Sequence, residues 1–260
     1  MKKKKIYVYA ISKNEEKFAK RWYESVKSAD GIYVLDTGST DNTVKILKEL
    51  GAKVTTKEIK PWRFDVARNE SLKLVPLDAD ICVCIDIDEV ISPGWREKLE
   101  EILENEKVNH VRYIYNWSHD ENKNPKVSFY YEKIHARKNF KWINPVHEVL
   151  KYTGSNEVWA TTNDIIVDHY PDSSKSRSSY LPLLELSVKE DPYNDRNVHY
   201  LGREYMYYGK LNEAIDTLIY HLSLKSATWK DERAASMRFI ARCYKYLKRY
   251  EEAKKAYDVV

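Results

Sequence analysis

Cys84-Ile85-Asp86-Ile87-Asp88-Glu89 closes an apolar run that begins at Ile81. An unbroken apolar run bounded by polar residues suits a strand buried on both faces, at the centre of a parallel sheet. Alternate residues on a strand share a face, so Asp86 and Asp88 are expected to reach one crevice where the strand runs out. Two hard oxygen donors there suit Mg2+ or Mn2+ carrying a diphosphate. The plain alternative is a turn at a strand end, where Asp is common.

Working outward, strand-like and helix-like segments alternate. Lys5–Ile11, Gly31–Leu35, Lys53–Ile59 and Ile81–Ile85 read as strands. Asn14–Lys27, Thr40–Leu50, Asp65–Val75 and Trp95–Glu104 read as helices, with Asp65 as an N-cap and Gly51 as a C-cap. This order predicts an α/β sheet with right-handed crossovers. Further strands are expected at Val111–Trp117, Val127–Lys138, His147–Tyr152 and Asp164–Tyr170. After Pro171 the pattern turns helical. Tyr200-Leu201-Gly202-Arg203-Glu204-Tyr205 with Gly209–Ala214 resembles a tetratricopeptide repeat, as does Ala241–Tyr244 with Arg249–Ala253. The recurring Glu-Ala pairs end at Ala214 and Ala253, a spacing wider than the standard ~34 residues. An insertion near Ser226–Lys230 accounts for the excess. The last apparent helix runs to Val260, so either the chain is cut short or that helix caps itself. The expected division is 1–172 for the α/β domain and 173–260 for the helical one.

Composition narrows the class. Among 260 residues, 43% are hydrophobic, which is enough for a substantial core. The net charge of +4 is well short of the basic stripe of a nucleic-acid binder. The Lys2–Lys5 run is expected to hang in solvent or touch anionic lipid weakly. No segment approaches the ~20 apolar residues of a membrane span, so a soluble, cytoplasmic protein is expected. Cys82, Cys84 and Cys243 lack zinc-site spacing and read as reduced core residues.

Read together, the N-terminal blocks resemble family 2 glycosyltransferases of the nucleotide-diphospho-sugar fold called GT-A. The blocks are Ile11-Ser12-Lys13-Asn14-Glu15-Glu16, Val34–Thr43, Phe64-Asp65-Val66-Ala67-Arg68-Asn69, Ile85–Glu89, Val146-His147-Glu148 and Asp168-His169-Tyr170. The resemblance covers roughly residues 5–190, followed by a tetratricopeptide-like, all-α tail. It implies a metal-dependent, inverting transferase using Mn2+ or Mg2+ and a nucleotide-diphospho donor, most of all a UDP-sugar. It further implies that Asp36 contacts the base, that Asp86 faces the ribose, and that Asp88 binds the cation. Ser12 falls in the first of these donor-binding blocks. Asn14 either caps a helix or touches the nucleotide. Arg68, near a helix start, suits the diphosphate; the plain alternative pairs it with Asp65 or Glu70. His169 is the candidate extra metal ligand. Lys175 and Arg177 lie on a Ser-rich segment that either closes over the diphosphate or is a solvated linker. Glu148 is the choice of base, with His147 its rival. The acceptor is a glycan, a lipid-linked saccharide or a polypeptide, and the helical tail either binds a polypeptide or mediates a homodimer. His110, His119, His135, His199 and His221 read as structural or surface residues, and Trp62, Trp117 and Trp142 as packing residues. The rival functions are a sugar-nucleotidyltransferase, which usually carries a glycine-rich loop after the first strand, and an inactive scaffold.

Overall fold

In the computed structural model, which describes residues 3–172 and 178–258, the apolar runs of the first half pair side by side. Strands β1 (Ile6–Ser12), β2 (Gly31–Asp36), β3 (Lys53–Thr56) and β4 (Ile81–Cys84) are mutually parallel. Every residue of β4 is buried, as an inner parallel strand requires. Their crossovers are helices α1 (Glu16–Val26), α2 (Thr43–Leu50) and α3 (Phe64–Leu74). The chain then adds β5 (Glu89–Ile91), α4 (Trp95–Ile102), β6 (His110–His119) and β7 (Pro125–Ala136). A two-stranded ribbon follows, β8 (Phe140–Ile143) with β9 (Val149–Tyr152), and then the long β10 (Trp159–His169). The main sheet has eight strands in the order β3-β2-β1-β4-β7-β6-β10-β5. It is mixed: β4–β7, β7–β6 and β10–β5 are antiparallel. From β1 the chain winds to β2 on one side and β4 on the other. That reversal opens a crevice at the carboxyl ends of β1 and β4, where open α/β sheets take ligands.

Residues 3–143 and 148–172 form one compact unit, and 144–147 with 178–258 form a second. The first unit's core gathers Val8, Ala10, Trp22, Val83, Ile85, Trp95, Leu99 and Val111 with their neighbours. Trp22 is fully buried, and its indole N–H donates to the Ile85 carbonyl at 3.1 Å, which fixes the chain where it leaves β4.

Several local expectations change. Helix α2 starts at Thr43 rather than Thr40, because residues 37–42 are drawn into a loop. Helix α1 starts at Glu16, since Asn14 is left-handed at φ 54° and cannot belong to it. Asp65 is not the cap of α3: it lies in the first turn and accepts from Arg63 Nε at 3.0 Å. Gly51 does end α2 in the left-handed conformation, φ 108°. Lys3 and Lys5 are exposed, and Lys3, Lys4 and Lys5 lie beside Asp30, Glu106 and Asp78. Cys82 and Cys84 are buried free thiols, and burial pushes them up to about 12 and about 11.

The second unit carries helices α5 (Tyr180–Glu190), α6 (Asp195–Tyr207), α7 (Leu211–Ser223), α8 (Lys230–Tyr246) and α9 (Tyr250–Asp258). Asn194 caps α6 by accepting from the Asn197 N–H at 3.1 Å. Its core includes Met206, Ala214, Leu218, Ile240 and Cys243. Gly202 brings α6 against α7: a Cβ placed there would sit 2.5 Å from Leu218 Cγ, and Leu218 is fully buried. Alanine favours a helix over glycine by about 1 kcal/mol. Overpacking costs about 1–3 kcal/mol. Gly202→Ala is therefore expected to lower the urea midpoint, and a raised midpoint would contradict the close approach. Among the described residues, no helix is long and apolar enough to cross a membrane.

Candidate active site

Two loops line the carboxyl end of the parallel strands, and they are laced together. Asn14 Oδ1 accepts from the Thr40 N–H at 2.8 Å, while the Asn14 N–H donates to Ser39 Oγ at 2.9 Å. Glu16 Oε2 accepts from the Asn42 N–H at 2.8 Å, and the Glu16 N–H donates to Asp41 Oδ2 at 3.1 Å. Asn14 thus caps no helix; it ties the β1–α1 loop to the β2–α2 loop. Asp36 is fully buried and serves the same loops. Its Oδ1 accepts from the N–H groups of Gly38 and Ser39 at 3.1 and 3.0 Å, and its Oδ2 from the hydroxyls of Ser12 (3.1 Å) and Ser39. Its acceptor positions are thus engaged by the loop it shapes. Ser12, only 3% exposed, is likewise committed to Asp36.

A second cluster sits where β4 ends. The strand stops at Cys84, so Asp86 and Asp88 lie in a turn and strand alternation does not relate them. The Glu89 N–H donates to the Asp86 carbonyl at 2.9 Å, closing that turn. Arg68, on the buried side of α3, grips Asp86 with both ends of its fork: Nη1 to Oδ1 at 2.6 Å and Nη2 to Oδ2 at 3.0 Å. Its Nε donates to Glu148 Oε1, and its guanidinium lies over the Trp142 ring at 4.9 Å. Arg68 therefore binds two carboxylates, and neither Asp65 nor Glu70. Its Nη1 also lies 3.4 Å from Cys84 Sγ. Lys133, from β7 and 2% exposed, completes the cluster. Its Nζ donates to Asp86 Oδ2 at 3.0 Å and to both oxygens of buried Glu89 at 2.7 and 2.8 Å. Burial opposes ionisation of Asp86, but Arg68 and Lys133 outweigh it and hold the carboxyl well below the usual carboxylate range. Burial pushes Glu89 up despite Lys133. Asp86 is thus held by Arg68 and Lys133 just beyond the end of β4.

Asp88 has a different setting. Strand β5 pairs antiparallel with β10 so that Glu89 stands opposite His169, and the Tyr170 N–H donates to the Asp88 carbonyl at 2.8 Å. This brings His169 Nε2 to 3.5 Å from Asp88 Oδ2. The other ring nitrogen, Nδ1, donates to the Trp117 carbonyl at 3.1 Å. That bond fixes the ring with Nε2 toward Asp88, the way a backbone carbonyl orients a metal-binding imidazole. Burial disfavours charge on His169, but the Asp88 and Trp117 contacts raise its pKa overall. The exposed Trp117 ring stacks on the imidazole at 4.7 Å, so Trp117 is not the core residue expected. A carboxylate and an oriented imidazole fit a divalent cation whose remaining positions go to phosphate oxygens and water. Nearby, Asp168 Oδ1 accepts from Asn116 Nδ2 at 2.8 Å and pairs with His119 Nε2 at 2.9 Å.

The remaining assignments divide. His147 belongs to the second unit, where it stacks on Tyr200 at 4.2 Å and meets the edge of Tyr180. Arg177 and Lys175 lie outside the described residues. Sequence reasoning missed Lys133, Tyr115, which donates to Glu89 at 2.9 Å, and the chain Trp142–Tyr9–His135. In that chain the indole N–H donates to the Tyr9 oxygen at 2.9 Å, and Tyr9 donates to His135 Nε2 at 2.8 Å. His135 Nδ1 donates to the Ala136 carbonyl at 2.8 Å, and burial outweighs that bond and pushes the ring's pKa down to about 3.

The fold is an α/β sheet of GT-A type followed by several helices, with acidic and basic side chains at the carboxyl edge where such sheets take ligands. The glycosyl transferase family 2 profile matches residues 7–152, and the chain belongs to that family. An uncharacterised glycosyltransferase of Rickettsia typhi is 38% identical over 112 residues, which are 43% of this chain and 36% of the relative. The matching protein of Rickettsia bellii is 37% identical over the same length. The chain thus matches about a third of the length of these relatives. Among solved structures, TarS of S. aureus superposes over 98% of this chain and 55% of its own, with a TM-score of 0.56 at 12% identity, a likeness of fold.

Proposed function

We propose that this protein is a divalent-metal-dependent, inverting glycosyltransferase that moves a sugar from a nucleotide-diphospho donor, UDP-linked above all, to a glycan, lipid-linked saccharide or polypeptide. Family membership supports the transferase class. The observation that carries the finer reading is the pairing of Asp88 with an imidazole, His169, whose ring a backbone carbonyl fixes with Nε2 toward it. Asp88 and His169 would hold Mn2+ or Mg2+. When bound, the ion neutralises the diphosphate and stabilises the departing nucleotide.

The chain's own residues supply the rest. The laced loops of Asn14, Asp36 and Ser39 offer a preformed wall to the nucleoside. Trp117 offers an aromatic face beside His169. Arg68 acts as a positioning residue, holding Asp86 and Glu148 together. Glu148 is the base that takes the acceptor proton as its oxygen attacks the anomeric carbon. The helical unit is the proposed place for a polypeptide acceptor or a second copy of the chain.

Glu148→Gln tests this directly. The amide keeps an oxygen for Arg68 Nε, so UDP binding in the presence of Mn2+ is expected to persist. Transfer is expected to fall by roughly 10²–10⁴-fold, the usual contribution of a positioned base. A screen of UDP-, GDP- and TDP-sugars with Mn2+ supplies the assay, and full transfer by this variant would remove Glu148 from the role.

A further inference from the structure

The helical unit holds ionisable groups that the donor site does not use. Asp195 opens α6, His221 lies in the last turn of α7, and Glu232 lies in the first turn of α8. One ligand-capable atom from each lies within 4.8 Å of the others. His221 is fully buried, and its Nε2 meets no hydrogen-bond partner. The Glu232 carboxylate stands 3.3 Å away but off the line a ring N–H would need.

The other side of the imidazole explains why that nitrogen matters. His221 Nδ1 is 3.0 Å from Ser236 Oγ, and Ser236 Oγ is 2.7 Å from His199 Nδ1. A serine hydroxyl carries a single hydrogen. When Ser236 donates to His199, it accepts from His221 Nδ1, and His221 Nε2 is left as a lone pair facing two carboxylates. Such a convergence of nitrogen and oxygen donors is a cation site in waiting. Two donors each ~2.0–2.1 Å from a tetrahedral zinc ion stand about 3.3 Å apart. The His221–Glu232 separation already has that value.

We propose that Asp195, His221 and Glu232 bind a divalent transition metal of the zinc type, with Ser236 and His199 orienting the imidazole behind it. Three protein ligands leave one position to water. The ion would fasten three successive helices, so its binding energy would become stability of the helical unit. This inference stands apart from the donor site and from the proposed transfer reaction.

The test uses the full chain carrying Asp88→Asn, which removes the carboxylate proposed to hold a cation at the donor site. The protein is stripped with EDTA, titrated with zinc alone by calorimetry, and its metal content counted after gel filtration. One zinc per chain is expected, with a higher melting temperature when zinc is present. Adding His221→Gln is expected to weaken zinc binding at least a hundredfold and abolish that thermal shift. Should His221→Gln disturb folding, Asp195→Asn, at a half-buried position, is expected to weaken binding at least tenfold. A stoichiometry of zero would mean a plain His221–Glu232 pair and overturn the proposal. Unchanged affinity in both ligand variants would overturn it equally.

Discussion

Replacing Lys133 with methionine is expected to cost the fold about 3–5 kcal/mol, the range for removing one partner of a buried charge pair. Lys133 Nζ is the cation between Asp86 and Glu89, and it is only 2% exposed. Methionine fills a similar volume, so little packing is lost. What remains is a buried Glu89 whose surviving partners are the Tyr115 hydroxyl and the Asp86 N–H. For a domain of this size each kcal/mol moves the melting temperature by roughly 2–4 °C, so a fall of about 10 °C is expected by calorimetry. Adding Glu89→Gln removes the orphaned charge and is expected to recover more than half of the loss. A single variant as stable as the parent would show that the cluster is not held by this lysine.

The second large effect is on turnover. Asp88→Asn keeps the shape of the side chain and the Tyr170-to-Asp88 backbone bond, so stability should change by less than about 1 kcal/mol. It removes the carboxylate charge that faces His169. Donor hydrolysis and transfer in Mn2+ are expected to fall by roughly 10²–10³-fold, the size of losing one electrostatic stabiliser. The Mn2+ concentration for half-maximal rate should rise in step. Asp86→Asn makes the contrast: it weakens the grip of Arg68 and Lys133, so its main expected effect is on the melting temperature. If Asp86→Asn abolished metal dependence while Asp88→Asn retained it, the two aspartates would have to exchange roles.

The parallel half of the sheet was legible chiefly from the apolar runs of β1, β2 and β4 and from Gly51, which ends α2. The acidic turn was legible as a place but not as an arrangement. Strand β5 has three residues, too few to show alternation, yet its pairing with β10 is what sets Asp88 against His169. His169 was reachable only through the motif around it. Arg68 was legible as a cation near a helix start, but nothing in its own helix reveals that Asp86 and Glu148 arrive from beyond β4 and from beyond β8. Lys133 was overlooked for a plainer reason: a lysine is assumed to face water, and the register shift that β7 makes against β6 between Tyr131 and Ile134 hides its face from simple alternation. Asp36 was legible by place but not by its partners. A carboxylate at a strand end looks available, and only the folded loop shows that Ser12, Gly38 and Ser39 already satisfy it. Where partners lie far apart in the chain, local pattern identifies the residue but not its company.

The knot between the two loops has a thermodynamic consequence for whatever nucleoside meets them. Backbone that is already tied, Asn14 to Thr40 and Glu16 to Asn42, loses no freedom when a guest arrives. Fixing a residue's backbone costs roughly 1–2 kcal/mol, so a slack pair of loops would surrender much of its contact energy to ordering. Cutting a single tether, as in Asn14→Ala, should therefore blunt affinity through the entropy of the empty protein, even if the side chain never meets the guest.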